Sequence, residues 1–224
     1  MNKSQKYGAL AAIVCAASFI IGLSLILILV PDFNQGADQR LDIIKEHALL
    51  MQVWYFLVYI VFAISVLILT KSILVKEKRE HSALEQVTTI VSYLWASYIV
   101  VSGLIAIVSI QFISSSTDAF TLNSTDLWQD IYKIQMGLGE GVEWVAAIWV
   151  LLVNACLHQG NRFNRSLIIF GVITSIFGLA TLIPSLTEVG AIFGLLQTLW
   201  FLWVCLLLFK GFRETRDNGD IIGA

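Results

Sequence analysis

Six long runs without a charged residue divide this chain. No Asp, Glu, Lys or Arg occurs between Lys6 and Asp32, Glu46 and Lys71, Glu85 and Asp118, Glu143 and Arg162, Arg165 and Glu188, or Glu188 and Lys210. A helix of about 20 residues crosses about 30 Å of hydrocarbon, and these runs lack the alternation of an outer-membrane barrel. The pattern predicts an all-α polytopic membrane protein of one domain, residues 1–224, with six transmembrane helices at approximately 7–30, 48–70, 88–113, 137–158, 166–184 and 190–209.

Positive charges concentrate on one side of these predicted spans. Eleven Lys and Arg residues lie in the N-terminus, the 71–87 and 159–165 loops and the C-terminal tail. Only three, Arg40, Lys45 and Lys133, lie in the other connections. The positive-inside rule then places both termini in the cytoplasm, with the chain in the inner (cytoplasmic) membrane. The first run is longer than the core of a secretory signal, so it is interpreted as a retained span.

Composition supports a membrane protein and excludes several functions. The chain is 58% hydrophobic and 13% charged, with mean hydropathy +0.81, whereas about a quarter of a soluble domain is charged. Its net charge of −2 and lack of a basic stripe argue against nucleic-acid binding. Cys15, Cys156 and Cys205 lie in apolar runs, typical of small buried side chains. No catalytic, metal or cofactor motif is present, so none of these groups is predicted.

Two connections on the predicted outer side have the pattern of short amphipathic helices. The first begins at Asp38 in DQRLDIIKEHALLMQVW and leads into the second span. The second, STDLWQDIYKIQ at 124–135, places apolar and aromatic residues on one broad face. Trp and Tyr favour the membrane interface, so we expect this helix to lie there.

Small residues at helical spacing predict where the spans pack closely. Lipid gives helices no hydrophobic reason to associate, so close approach of backbones must hold them together. The first span carries Ala12, Ala16, Ser18 and Gly22 at this spacing, and the fifth carries Gly171, Thr174, Ser175, Gly178 and Thr181. We interpret both stripes as helix-packing surfaces.

Two carboxylates, Glu140 and Glu143, open the fourth predicted span. From a helix start at residue 137, Glu143 lies roughly 10 Å below the outer end. An ionised carboxylate facing lipid there costs on the order of a few kcal/mol, so Glu143 must face protein, face water or be protonated. Helical spacing continues this partly polar stripe through Ala147, Leu151, Asn154 and His158.

The carboxylates allow two interpretations. In one, Glu143, Gln197 and Tyr55 lie at similar depth and form a polar pocket in the outer half of the bundle, with Glu140 near its mouth and Asn154 further down. In the other, Glu140 favours a helix N-terminus and Glu143 is a satisfied buried acid that fixes packing. The glycines at 137, 139 and 141 lack the strand and the Lys of a phosphate loop, so they do not indicate nucleotide binding.

Three stretches of the chain resemble a known family. They are YGALAAIVCAASFIIGL, LILTKSILVK and RSLIIFGVITSIFGLATLIP, joined in that order by a helical outer loop and a short basic loop. This order is similar to that of a bacterial membrane family designated domain of unknown function 4386. The resemblance implies a six-helix inner-membrane protein and no particular activity. Glu140 and Glu143 depart from the simple apolar fourth span of that family.

Function is predicted only by class. The first expectation is a non-catalytic membrane component that binds, assembles or regulates, in contact with membrane lipids and with a membrane-protein partner or a second copy. It predicts a satisfied Glu143 and no water path across the bundle. The alternative is a small transporter or channel for an ion or small solute, which predicts a cavity reaching Glu143. A lipid-modifying enzyme is disfavoured because no nucleophile–base pair is visible.

Overall fold

Helices form every regular element in the part of the chain that the structure, a computed structural model, describes: residues 3–74, 82–115, 124–140, 143–159 and 165–210. They are α1 Lys3–Ser24, α2 Ala37–Glu46, α3 Ala48–Tyr55, α4 Phe62–Leu74, α5 Ala83–Ser115, α6 Ser124–Gln135, α7 Glu143–Gln159, α8 Arg165–Ala180 and α9 Val189–Lys210. Short π-helical turns extend α1 (Leu25–Leu29), join α3 to α4 (Phe56–Val61) and follow α6 (Met136–Glu140). Single 3-10 turns occur at Pro31–Asn34 and Pro184–Leu186.

Five helical stretches are long and apolar enough to cross a membrane. They are Lys3–Leu29, Ala48–Leu74, Ala83–Ser114, Trp128–Gln159 and Val189–Phe209. Large apolar side chains that are at least half exposed occur along these stretches and along α8, among them Leu10, Ile20, Ile90, Leu104, Ile176 and Leu199. Such a surface suits hydrocarbon and not water. The prediction of an all-α, multi-pass membrane protein is confirmed at this level.

The fifth predicted span, 166–184, is shorter as a helix than the sequence pattern suggested. α8 has 16 residues, about 24 Å of helix at about 1.5 Å per residue, against about 30 Å of hydrocarbon. The cause is Pro184, which disfavours helical backbone at the residue before it. Ile183 accordingly has extended dihedrals (φ −90°, ψ 117°), and the helix ends at Ala180.

Six helices pack side by side in a closed ring. Going round it, α1 contacts α4, α4 contacts α5, α5 contacts α7, α7 contacts α8, α8 contacts α9, and α9 returns to α1. Close approach depends on small residues: a Cβ built on Gly8 of α1 would lie 2.6 Å from the Cβ of Ser72 in α4 and 3.2 Å from Leu208 in α9. The interior of the ring holds the core, and one end of it holds a cavity.

Residues of the predicted packing stripes lie at these helix contacts. In α1, Ala12, Ala16, Ser18 and Gly22 are buried, and the Ser18 hydroxyl donates to the Leu57 carbonyl at 3.4 Å. In α8, Gly171, Thr174, Ser175 and Gly178 are buried. Gly171 faces the amide of Asn154 in α7, and Gly178 faces both α7 and α9. The glycines of α8 therefore set how closely it approaches its two neighbours.

The two predicted amphipathic segments are helices, α2 and α6, and they pack against each other. The indole Nε1 of fully buried Trp128 in α6 donates to the Ala37 carbonyl at the start of α2, at 2.7 Å. Gln129 adds a hydrogen bond to Asp38 at 3.3 Å. Gly36, at φ 134°, supplies the left-handed backbone that turns the chain into α2. These contacts join the two connections into a cap over one end of the ring.

Replacing Trp128 by Phe should loosen this cap selectively. The change keeps a large ring in the buried site but removes the indole hydrogen bond to the Ala37 carbonyl, which is worth about 0.5–1.5 kcal/mol. In hydrogen–deuterium exchange of the detergent-solubilised protein, amides of residues 37–46 should exchange faster. Amides of α9 should be unchanged and serve as the internal control. Equal exchange of α2 in both proteins would show that this bond does not hold the cap.

The fourth span was predicted as a helix from residue 137 with Glu143 inside it. A π-helical turn follows α6 at Met136–Glu140, and α-helix is described from Glu143 to Gln159. Residues 141 and 142, between the two, lie outside the described residues. The stretch Trp128–Gln159 as a whole is long and apolar enough to cross a membrane. The loop and tail segments 75–81, 160–164 and 211–224, which carry many of the counted charges, lie outside the described residues.

Candidate functional site

A cavity of about 700 Å³ occupies the capped end of the ring. It lies where α1 ends (Gly22 and Leu23) and where α7 and α9 begin (Glu143 and Gly190). Residues of α2, of the π-helical turns and of the segment before α9 complete its wall. Small-molecule sites typically have volumes of about 300–1,000 Å³, so this space is large enough for a ligand.

Polar groups follow the cavity from its mouth to its inner end. Glu188 and Thr187, just before α9, are exposed. Glu143 is half-buried. Gln197, two turns into α9, is fully buried and forms part of the inner wall. The face of α9 towards the cavity is made by Gly190, Phe193, Gly194 and Gln197, which follow helical spacing.

The side chain of Gln197 is unsatisfied. Neither its Oε1 nor its Nε2 has a hydrogen-bond partner among the described residues. A buried polar group in this condition costs about 1–3 kcal/mol. The indole N–H of Trp54, on the same cavity, is likewise without an acceptor there. A ligand with polar groups could form hydrogen bonds with both the Gln197 amide and the Trp54 indole, whereas the apolar side chains around them cannot.

Glu143 depends on a glycine in the neighbouring helix. A Cβ built on Gly190 would lie 2.8 Å from Glu143 Oε1, so any larger residue at 190 displaces the carboxylate. Apart from the backbone N–H of Glu143 itself, no described group pairs with this carboxylate.

Aromatic rings make most of the remaining wall. Each comes from a different surrounding element, and they comprise Phe19, Phe33, Trp54, Tyr59, Phe62, Trp95, Tyr132 and Phe193. Arg40 of the cap, only 2% exposed, also lines the cavity. Its guanidinium carbon lies 4.0 Å from the ring centre of Phe33 and 4.8 Å from that of Tyr132, and its Nε donates to the Phe33 carbonyl at 3.3 Å.

An aromatic floor, which we define as Phe62, Trp95, Trp149, Trp200 and Phe201, closes the inner end. Trp149 is fully buried, and its ring centre lies 5.2 Å from that of Trp95 and 5.7 Å from that of Trp200. Trp149 Nε1 donates to Thr70 Oγ1 at 3.0 Å, and Thr70 donates to the Val66 carbonyl at 2.8 Å. The floor packs α4, α5, α7 and α9 together beyond the cavity.

The predicted site residues are only partly brought together. Glu143 and Gln197 line the cavity. Tyr55 is buried beside it, with its ring centre 4.8 Å from that of Trp54, which does line it. Asn154 lies about three turns further along α7, where its Nδ2 donates to the Val150 carbonyl at 2.6 Å. The side chain of Glu140 lies outside the described part of the structure.

Sequence reasoning missed Arg40, Glu188 and most of the aromatic wall. Arg40 was counted only as a loop charge, and Glu188 only as the break between two spans. One signal was available for Glu188, a charged residue between two apolar spans on the predicted outer side, whereas Arg40 lies among several other charged residues of its connection. In the described ranges, no group of three or more His, Cys, Asp or Glu residues could hold a metal ion.

Comparisons of this chain with family models, with curated proteins and with solved structures found no match. Its function must therefore be argued from the cavity and from the chain around it.

Proposed function

We propose that this chain is a non-catalytic inner-membrane protein that binds a small molecule in the cavity between α1, α7 and α9. The observation that carries this proposal is a cavity of about 700 Å³ whose Glu143 carboxylate has no side-chain partner, and whose Gln197 amide has no hydrogen-bond partner, among the described residues. Polar groups in a membrane-spanning bundle are costly and usually functional. A structural role for Glu143 would give it a partner, and the described residues supply none beyond its own backbone.

The proposal includes six spans with both termini in the cytoplasm. α8 is the sixth membrane helix: it lies between α7 and α9, and its exposed face is apolar at Ile169, Ile173 and Ile176. Its 16 residues together with the apolar residues up to Ile183 cover the hydrocarbon. The distribution of Lys and Arg supports this orientation, which directs the cavity outwards. The resemblance to the family designated domain of unknown function 4386 is part of the same proposal.

Cysteine accessibility tests the cavity and its orientation together. In a background with Cys15, Cys156 and Cys205 replaced by Ala, Gly194→Cys should react with a membrane-impermeant methanethiosulfonate added outside intact cells. Gly194 lines the cavity, and a Cβ there meets nothing closer than 3.5 Å, so the new thiol is tolerated. Thiols react as thiolates, which requires water.

Leu195→Cys is the matched control. Leu195 is the next residue of α9 and so lies at nearly the same depth, but it does not line the cavity. It is 54% exposed on the apolar outer surface of the ring. We expect Gly194→Cys to react at least about tenfold faster than Leu195→Cys. Equal rates, or labelling of Gly194→Cys only after the cells are opened, would contradict the proposed outward-facing cavity.

The transporter alternative has one observation in its favour, which is that the cavity reaches Glu143. The aromatic floor opposes it, because a solute would have to pass between Trp95, Trp149 and Phe201, whose rings are in contact. Transport therefore requires a second conformation in which the floor opens. Solute flux into proteoliposomes separates the two functions, since a binding protein without transport gives none.

A further inference from the structure

We propose that the ligand of this cavity is an organic cation with an apolar, ring-sized body. The inference rests on the proposed binding function and adds the chemical class of the ligand. Two independent features of the wall support it, its charge and its aromatic content, and a buried amide at the inner end is compatible with it.

The charged side chains of the wall leave an excess of negative charge. Glu143 and Glu188 are acidic, and Arg40 is the basic group among the described lining residues. The guanidinium of Arg40 is already held by two rings and by the Phe33 carbonyl. Neither carboxylate has a side-chain partner within the described residues. A cation entering from the mouth would meet first Glu188 and then Glu143.

The aromatic wall suits a cation better than an anion. Ring faces carry partial negative charge and attract ammonium and guanidinium groups within about 6 Å of the ring centre. The protein already uses this interaction at the cavity edge, where Arg40 lies 4.0 Å from the ring centre of Phe33. Further inside, Phe19, Trp54 and Tyr59 line the same space. An anionic ligand would face these rings and two carboxylates.

Gln197 gives the inner end a polar anchor. Neither its carbonyl oxygen nor its amide nitrogen has a described partner, so it can accept one hydrogen bond from a ligand and donate another, whatever the ligand's charge. An N–H group, or the positively polarised C–H groups next to an alkylated nitrogen, would point their positive ends at this oxygen. The anchor is fully buried, so it acts only on a ligand that fills the cavity.

Two ions of the same shape and opposite charge test the proposal. Binding of radiolabelled tetraphenylphosphonium to the purified full-length protein is measured by scintillation proximity, with unlabelled tetraphenylphosphonium or tetraphenylborate as competitor. We expect saturable binding that unlabelled tetraphenylphosphonium displaces and tetraphenylborate does not. Glu143→Gln should weaken binding by about tenfold and the exposed Glu188→Gln by about two- to threefold. Glu46→Gln, an exposed acid outside the cavity wall, should change nothing.

The following outcomes would overturn the inference about the ligand class, and the labelling of Gly194→Cys tests the cavity itself separately. If tetraphenylborate competes equally, or if Glu188→Gln and Glu143→Gln both bind as the parent does, the site does not select positive charge. Glu188→Gln keeps this comparison valid even where Glu143→Gln fails to fold. If neither ion binds while Gly194→Cys is labelled from outside, a cavity exists but the ligand class is wrong. If Gly194→Cys is not labelled, the proposed function itself fails.

Discussion

Replacing Gly178 by Leu should lower the stability of the bundle by about 3 kcal/mol or more, because the side chain has no space. A Cβ at this position would lie 2.6 Å from the Cβ of Ala147 in α7 and 2.8 Å from the ring of Phe193 in α9. Both neighbours are buried, and Phe193 also forms part of the cavity wall. α8 must therefore move away from two helices at once. The measurement is the apparent melting temperature of the detergent-solubilised protein.

Alanine substitutions provide a matched pair for this prediction. Gly178→Ala should already destabilise by about 1–3 kcal/mol, since the first added carbon meets the clash. Gly194→Ala, on α9, meets nothing closer than 3.5 Å, so its better helix propensity should leave stability unchanged or slightly higher. Equal apparent melting temperatures for Gly178→Ala and Gly194→Ala would show that the close packing of α8 does not stabilise the ring.

The same pair has a consequence for the cavity. Phe193 is pressed between Gly178 on one side and the cavity on the other. A larger residue at 178 pushes this ring towards the ligand space, so packing in α8 and the volume of the site are coupled. The small-residue stripe of α8 is thus structural in its contacts and still necessary for the shape of the candidate site.

The helices were predictable from the sequence because hydrocarbon restricts which backbone structures can cross it. Every backbone group in lipid must be bonded internally, so a charge-free run of sufficient length becomes a helix. The amphipathic segments that form α2 and α6 were also predictable, because apolar residues at helical spacing give each of them one apolar face. The early end of α8 was readable in principle from Pro184, whose effect on Ile183 is local.

The sequence predicted how deep in the bundle the site residues lie, but not which side chains of each helix face the cavity. The sequence paired Glu143 with Gln197 because both were predicted at similar depth, and depth follows from counting residues along a helix; both line the cavity. Tyr55 has the right depth and the wrong direction: successive residues of a helix point about 100° apart, so Trp54 faces the cavity and Tyr55 the core. Arg40 reaches the site because the cap folds back over the ring, which no local pattern encodes.

The aromatic floor bears on both proposed functions of the cavity. In this conformation the cavity ends on packed rings, so a ligand leaves by the mouth, and transport requires a second conformation in which the floor opens. Here the rings that line the inner end, Phe62 and Trp95, are the same rings that contact Trp149 and Phe201 beyond it. A single substitution in the floor therefore tests both the stability of the ring and its closure.

Trp149→Ala should destabilise the protein by about 3–5 kcal/mol, comparable to the largest losses seen for buried aromatic residues. The change removes a fully buried ring that contacts Trp95, Trp200 and Phe201, and it leaves a space next to the cavity. It also removes the donor to Thr70 Oγ1. The apparent melting temperature should fall steeply, and proteoliposomes containing any folded variant should leak small cations that the parent retains.

Trp149→Phe and Thr70→Val separate the hydrogen bond from the ring. The coupling energy between the two substitutions in a double-mutant cycle should be about 0.6 and at most about 1.7 kcal/mol, the range measured for hydrogen bonds inside membrane proteins. The double variant should lose less than the sum, because both changes remove the same bond between Trp149 and Thr70. Neither variant opens the floor, so both should keep cations inside proteoliposomes. Leakage in Trp149→Phe equal to that in Trp149→Ala would mean that the hydrogen bond, and not the packed rings, closes the cavity.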